Sequence, residues 1–148
     1  MDAEGTRIYN GRQRPLYTPH GISELDEDEV FVFGSTPAGL HADGAARYAL
    51  RHYGARVGKG SGFSGQSYAI PVPMCGYRGM AGYVDEFIRF AEGHPELFFY
   101  VIRIGCGLAA YRDREIAPMF KEAASLDNVC LPEGFMKVIR KKWGQRQG

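Results

Sequence analysis

Leu97-Phe98-Phe99-Tyr100-Val101-Ile102-Arg103-Ile104-Gly105-Cys106-Gly107-Leu108-Ala109-Ala110-Tyr111 is the stretch on which the fold turns. Its first six residues are an unbroken apolar and aromatic run, the mark of a strand buried on both faces. Glycine and small residues follow, and a helical pattern begins near Asp113. A buried strand that empties into such a loop before a helix is suited to an anion. Small residues let backbone N–H groups approach oxygens, and a helix N-terminus adds partial positive charge.

The same grammar recurs upstream. Glu29-Val30-Phe31-Val32-Phe33 reads as a central strand ending at Gly34-Ser35, and Thr36 to Ala42 as a loop. A helix is expected from Asp43 to Tyr53, with Gly54 as its C-terminal cap. Residues 56–66 hold four glycines and are expected to form a flexible loop, in which Phe63 is a candidate to stack on a ligand's flat ring. Ser67 to Pro73 reads as a strand stopped by proline, and Met80 to Gly93 as a helix. Asp113 to about Ser125 is helical in pattern, with Pro118 pointing to a start near Ile116. Asn128 to Leu131 is a short strand and Glu133 to Trp143 a last helix. Residues 1–21 are expected to be an irregular arm with one short strand near Arg7-Ile8-Tyr9. Ile22 to Asp28 is expected to be a helical turn capped by Ser23. Strands alternating with helices predict one α/β domain over residues 1–148. It is a three-layer α/β/α sandwich around a mixed, largely parallel sheet, with ligands beyond the carboxyl ends of the strands.

The totals set limits. With 148 residues, 45% hydrophobic and 24% charged, the chain has the composition of a soluble globular domain with a real core. A net charge of +1 gives no global bias toward nucleic acid or anionic membrane, and Arg140-Lys141-Lys142 reads as a solvated helix end. No apolar run spans a bilayer, and the acidic N-terminus lacks a signal-peptide core. Three scattered cysteines, Cys75, Cys106 and Cys130, make neither a disulfide framework nor a zinc site. A cytoplasmic protein without metal or cofactor is the expectation.

Two segments carry the candidate chemistry. In the first, Gly34, Ser35, Ala42, Asp43, Gly44 and Ala45 fit a ligand-holding strand–loop–helix junction, and equally a plain turn with close packing. It lacks the glycine spacing of a dinucleotide fingerprint and the Gly-Lys-Ser/Thr of a phosphate-binding P-loop. In the second, Cys106 is either a nucleophile beside a helix N-terminus or, as free cysteine usually is, a small buried thiol. No histidine is indicated as its partner. Asp113, at the head of a helix, is a capping acid or a catalytic one.

In order, Phe31 to Ser35, Gly39 to Ala46, Ser67 to Pro71 and Ile104 to Tyr111 resemble a group of uncharacterised phage and bacterial proteins of the macrodomain fold. The resemblance runs over residues 22–135, and Ile104-Gly105-Cys106-Gly107-Leu108 is similar to the second phosphate-binding loop of macrodomains that remove ADP-ribose from carboxylates or nucleobases. It implies an ADP-ribose cleft at the strand ends. Gly34, Ser35, Ala42, Asp43, Gly44 and Ala45 would line the distal ribose and diphosphate. Gly105, Cys106, Gly107, Leu108, Ala109, Ala110 and Tyr111 would offer backbone donors, with Tyr111 over the distal ribose.

The chain departs from that pattern at three points. Gly34-Ser35 stands where many macrodomains have an asparagine-rich strand end, and Asp43 where some active hydrolases carry lysine. Arg112 stands where those hydrolases have an acid, with Asp113 one place on. The expectation is therefore binding of ADP-ribose or a related nucleotide diphosphate sugar. Hydrolysis of an ADP-ribosyl linkage or terminal phosphate would need Asp43 or Asp113 to orient water near the anomeric carbon, or assistance from the substrate phosphate. The alternatives are a non-catalytic ADP-ribose reader and a Cys106-dependent hydrolase. The partner is a small molecule, or a nucleic acid only where that carries the ADP-ribose, with no membrane and an open oligomeric state. A hydrolase working through Cys106 would lose turnover and keep binding in Cys106→Ala.

Overall fold

The computed structural model describes residues 6–36, 39, 44–73, 76–105 and 111–147, with side chains described as far as residue 141. Thr6–Tyr9 (β1) and Arg12–Pro15 (β2) form an antiparallel hairpin. Glu29–Ser35 (β3) is followed by the helix Gly44–His52 (α1), and Gly62–Ser64 (β4) by Ser67–Pro71 (β5). A 3-10 turn, Tyr77–Met80, leads into Ala81–Glu92 (α2), then Phe98–Val101 (β6). Asp113–Ile116 (α3) continues into 3-10 turns, and Val129–Cys130 (β7) precedes Glu133–Gln147 (α4). The five-stranded sheet runs β4-β5-β3-β6-β7. All its pairings are parallel except β4 with β5.

The chain path explains which face each helix covers. From β3 it steps to β5 on one side through α1, then crosses back past β3 to β6 through α2. Parallel crossovers are right-handed, so reversing the direction of travel moves the helix to the opposite face. The core follows suit. Ala46 and Ala49 of α1 pack with Phe31, Phe33 and Ala69 on one face. Val84, Phe87 and Ile88 of α2, Ile116 of α3 and Phe135 of α4 pack with Val30, Val32, Ile70, Phe99 and Val101 on the other. β3, buried at six of its seven positions, is the middle strand, as its doubly apolar sequence indicates.

This path leaves the α1 face of β6 and β7 without a helix. The N-terminal residues cover it. Tyr9, Ile22 and Leu25 pack on Phe98, Tyr100 and Cys130. The short strand expected near Arg7-Ile8-Tyr9 is present as β1, and the rest of the arm, expected to be irregular, supplies β2 to make a β-hairpin. Asn10 and Gly11 both take positive φ (50° and 73°), the geometry of a two-residue hairpin turn. Its strands are short and largely charged or polar, which hides the alternation that identifies a strand. The expected helical turn over Ile22 to Asp28 does not form, so Ser23 has no helix to cap. Ile22 and Leu25 are held by their packing instead, and the Tyr53 hydroxyl donates to the Ile22 carbonyl at 3.3 Å.

A buried ion cluster fastens the hairpin. The Arg14 side chain is 1% exposed and bonds Asp28 Oδ2 at 2.8 Å and Glu29 Oε2 at 2.9 Å. The Tyr100 hydroxyl donates to Glu29 Oε2 at 2.7 Å, and the guanidinium lies 5.0 Å from the Phe98 ring centroid. The hydrogen bond from Arg14 holds the Asp28 carboxyl below its ordinary range. Burial pushes the Cys130 thiol up to about 11, as befits a packed rather than reactive sulfur.

Three other expectations need correction. The 56–66 segment contains strand β4, and Phe63 packs on Phe90 at 5.1 Å between ring centroids instead of standing free for a ligand. The helix expected to start near Ile116 starts at Asp113 and lasts one turn. Pro118 then sits in the first turn of the tighter Ala117–Phe120 segment. The last helix continues past Trp143 to Gln147. Gly54 does close α1. Its φ is +77° and the Ala55 N–H returns to the Ala49 carbonyl at 3.2 Å. A Cβ on Gly54 would lie 2.9 Å from Gly65 Cα, and one on Gly65 2.8 Å from Gly54 Cα.

Arg14→Met is expected to lower unfolding stability by about 3 kcal/mol or more, because Glu29 stays buried without its cation; denaturant titration measures this. A carboxyl with a lowered folded-state pKa stabilises above its unfolded pKa and stops doing so as pH falls through the folded one. Stability should therefore decline as pH drops below about 4, and Asp28→Asn should flatten that decline.

Candidate functional site

The sheet reverses its winding between β3 and β6, and in open α/β sheets the crevice beyond the carboxyl ends at such a point is where ligands sit. Both candidate loops leave from there. Ile102 N–H donates to the Val32 carbonyl at 3.2 Å, which carries the parallel pairing up to the loop. A Cβ built on Gly34 would stand 3.7 Å from the Gly105 backbone nitrogen. The flanks of the two glycine segments, 71 positions apart by number, are thus neighbours (34 and 105).

Gly34 is small for a packing reason. Its absent Cβ would meet Val72 Cγ2 at 3.0 Å and Ile104 Cγ2 at 3.1 Å. Ser35 is buried, and its hydroxyl donates to the Gly60 carbonyl, tying the end of β3 to the segment that returns from α1. Gly39 completes that clamp. Its carbonyl accepts from Gly58 N–H at 2.8 Å, and with φ +70° a Cβ there would fall 2.6 Å from Gly60 N. Gly44 and Ala45 open α1, the former exposed, the latter half-buried.

On the β6 side Gly105 has φ +82°, which an L side chain rarely adopts, and its carbonyl accepts from Tyr111 N–H at 2.9 Å. This hydrogen bond closes the base of the second loop. Tyr111 then reaches across the end of the sheet. Its hydroxyl donates to the Pro73 carbonyl beyond β5 at 2.5 Å, and its ring meets Tyr77 edge-on at 5.7 Å. Tyr111 spans from the second loop to the segment after β5, half-buried above the strand ends. Ala42, Asp43, Cys106, Gly107, Leu108, Ala109 and Ala110, with Cys75, lie outside the described residues.

Asp113 has a structural setting. It opens α3, its Oδ1 accepts from Arg103 Nε at 3.1 Å, and a Cβ on Gly134 would strike its Oδ2 at 2.4 Å. The carboxylate is therefore packed against the first turn of α4, whose partial positive charge suits it. Arg112 precedes it, and Glu115 Oε1 accepts from Arg112 N–H at 2.9 Å, one half of a capping box. Among the described residues no three His, Cys, Asp or Glu side chains gather as a metal would require. No described helix is long and apolar enough to cross a membrane.

Sequence reasoning missed the clamp between Gly39 and Gly58–Gly60, and the pairing of Tyr111 with Pro73 and Tyr77. Glycine spacing reveals flexibility but not which two loops touch. The chain is an α/β protein with a mixed, mostly parallel five-stranded sheet. No family model, curated protein or solved structure matches it.

Gly134→Ala should destabilise by about 1–3 kcal/mol through overpacking, although alanine is the better helix former. Asp113→Ala in the same chain should recover most of that loss. A double-mutant cycle by denaturant titration reads the coupling.

Proposed function

We propose that this chain binds ADP-ribose, or a nucleotide diphosphate sugar like it, across the carboxyl ends of β3 and β6, in the manner of a macrodomain. The observation that carries the reading is the juxtaposition of Gly34 and Gly105 at the point where the sheet reverses its winding. Three features of that end suit a diphosphate. Gly105 adopts a positive φ, so backbone there can turn its N–H groups toward an anion. The nine-residue helix α1 begins there, with its positive end toward the strand termini. Tyr77 and Tyr111 supply aromatic surface beside the same strand ends for a sugar or base.

The reading is of a binder rather than a hydrolase. Of the two acids assigned catalytic roles, Asp113 is the described one, and it is engaged by Arg103 and packed on Gly134. A carboxylate so held is a fixture of the α3–α4 contact. A reader module needs only the main-chain donors and the shape of the cleft.

Titration of isotope-labelled protein with ADP-ribose should shift the amide signals of Gly34, Ser35, Gly44, Gly105 and Tyr111, and leave Tyr9, Arg14 and Glu29 at the opposite end still. Gly107→Trp should abolish the heat of binding in calorimetry by blocking backbone donors. ADP-ribose-1″-phosphate should be bound without phosphate release. Shifts confined to the Arg14 end, or no heat at all with ADP-ribose, would remove the ligand assignment.

A further inference from the structure

The small net charge conceals a division along the chain. Between residues 44 and 84 stand five of the 18 cationic residues and none of the 17 acids, so +1 overall divides into +5 on this segment and −4 on the rest. Four of the five, Arg47, Arg51, Arg56 and Lys59, lie on α1 or on the segment that follows it, and all four are exposed. Arg47 and Arg51 are one helical turn apart, and Tyr48 and His52 lie beside them in the same register.

The fold brings the two segments that carry these residues to one face of the sheet. Gly54 ends α1 at the amino end of the sheet, and the chain doubles back over Ala55, which packs in the core beneath α1. By Gly58 and Gly60 it has reached the carboxyl end of β3, where Gly39 and Ser35 hold it. Arg56 and Lys59 therefore run alongside α1, on the same face of the sheet as Arg47 and Arg51. Lys59 Nζ also donates to the Phe63 carbonyl at 2.6 Å, which steadies this segment against β4. The charge of Glu24 reaches Tyr53 beyond the last helical turn, and Asp43 precedes α1 in the sequence, four residues before Arg47. Tyr48 is 37% exposed with one side against Phe31 and Tyr53, and its ring meets the exposed His52 ring at 4.4 Å and 39°, an aromatic pair on a helix that also carries two exposed arginines.

We propose that the exposed flank of α1 with the Ala55–Gly60 return is a docking surface for single-stranded nucleic acid. Four cations on one flank follow a phosphate backbone, and the Tyr48–His52 pair offers unpaired bases a stacking platform. Rings among cations favour a strand with free bases over a duplex, whose bases are already stacked. The helix face reads Arg, Tyr, Arg, His and not the apolar stripe that inserts into a lipid surface. The site is distinct from the ADP-ribose reading and does not rest on it, since an unmodified oligonucleotide carries no ADP-ribose.

Fluorescence anisotropy of the intact chain with a labelled single-stranded oligonucleotide of about 16 nucleotides tests this. Binding should weaken between about 50 and about 200 mM salt with a log–log slope of roughly −3, as four phosphate contacts at about 0.7 each require. Arg47→Ala with Arg51→Ala, at exposed positions that leave the core intact, should weaken binding about tenfold or more and reduce that slope by roughly 1.4. Tyr48→Ala should weaken it about fivefold or more with the slope unchanged, as loss of stacking does. Lys137→Ala with Lys141→Ala, on α4, should change neither. No binding at low salt, or equal binding by the Arg47/Arg51 double variant, would overturn the proposal. So would tighter binding to anionic vesicles, to an acidic peptide of equal charge or to the duplex form of the oligonucleotide.

Discussion

The parallel pairing of β3 with a strand on each side governs the molecule. A strand so placed can present no polar edge and no wet face, so every residue from Val30 to Phe33 is apolar and buried. It also requires the chain to leave β3 in one direction and come back past it in the other. Right-handed crossovers then send α1 to one face and α2 to the opposite one. The two helices thus cover opposite faces of the sheet. At the amino end Glu29 closes the strand with a carboxylate that has to be neutralised within the protein, because it is buried.

That neutralisation joins the N-terminal hairpin to the sheet. Arg14 reaches Glu29, Asp28 and the Tyr9 carbonyl while its cation lies over Phe98. The pair is buried, so its net contribution to stability is smaller than its Coulomb attraction suggests, but it fixes where the hairpin sits. Thr18 extends the seam by donating to carbonyls of Val101 and Cys130, and Asn128 donates to the Ala91 and Leu97 carbonyls at 3.0 and 3.2 Å. Polar groups with fixed partners thus set the position of the cover, and Tyr9, Ile22 and Leu25 supply its apolar contact.

The elements legible in the sequence were those whose burial pattern is continuous. β3, β6 and the buried faces of α1 and α2 declare themselves by runs or by helical spacing, and Gly54 by its place after a last periodic residue. The hairpin was obscure because its inward residue, Arg14, is a cation, which burial statistics assign to the surface. Residues 22–28 carry the residue types of a short helix, but the packing of Ile22 and Leu25 decides their path, and only a turn forms, closed by the Glu29 N–H on the Asp26 carbonyl at 3.0 Å. β4 was hidden among glycines because a three-residue edge strand has too few side chains to show alternation. At the strand ends, the pattern located the loops but not the reasons for their small residues. Gly34 makes room for Val72 and Ile104, and Gly134 makes room for Asp113, two fits between residues remote in sequence.

Gly54 and Gly65 touch back to back, each with a positive φ and each where the other's missing methyl would be. A side chain on either would meet the backbone of the other, so a substitution at one is strained by φ and by contact, and is not relieved by a second substitution at its neighbour. A larger residue at either position would push the end of α1 away from the turn between β4 and β5, where the Gln66 N–H donates to the Tyr53 carbonyl at 2.9 Å. The end of α1 and the turn between β4 and β5 are thus joined by two missing side chains as much as by that hydrogen bond.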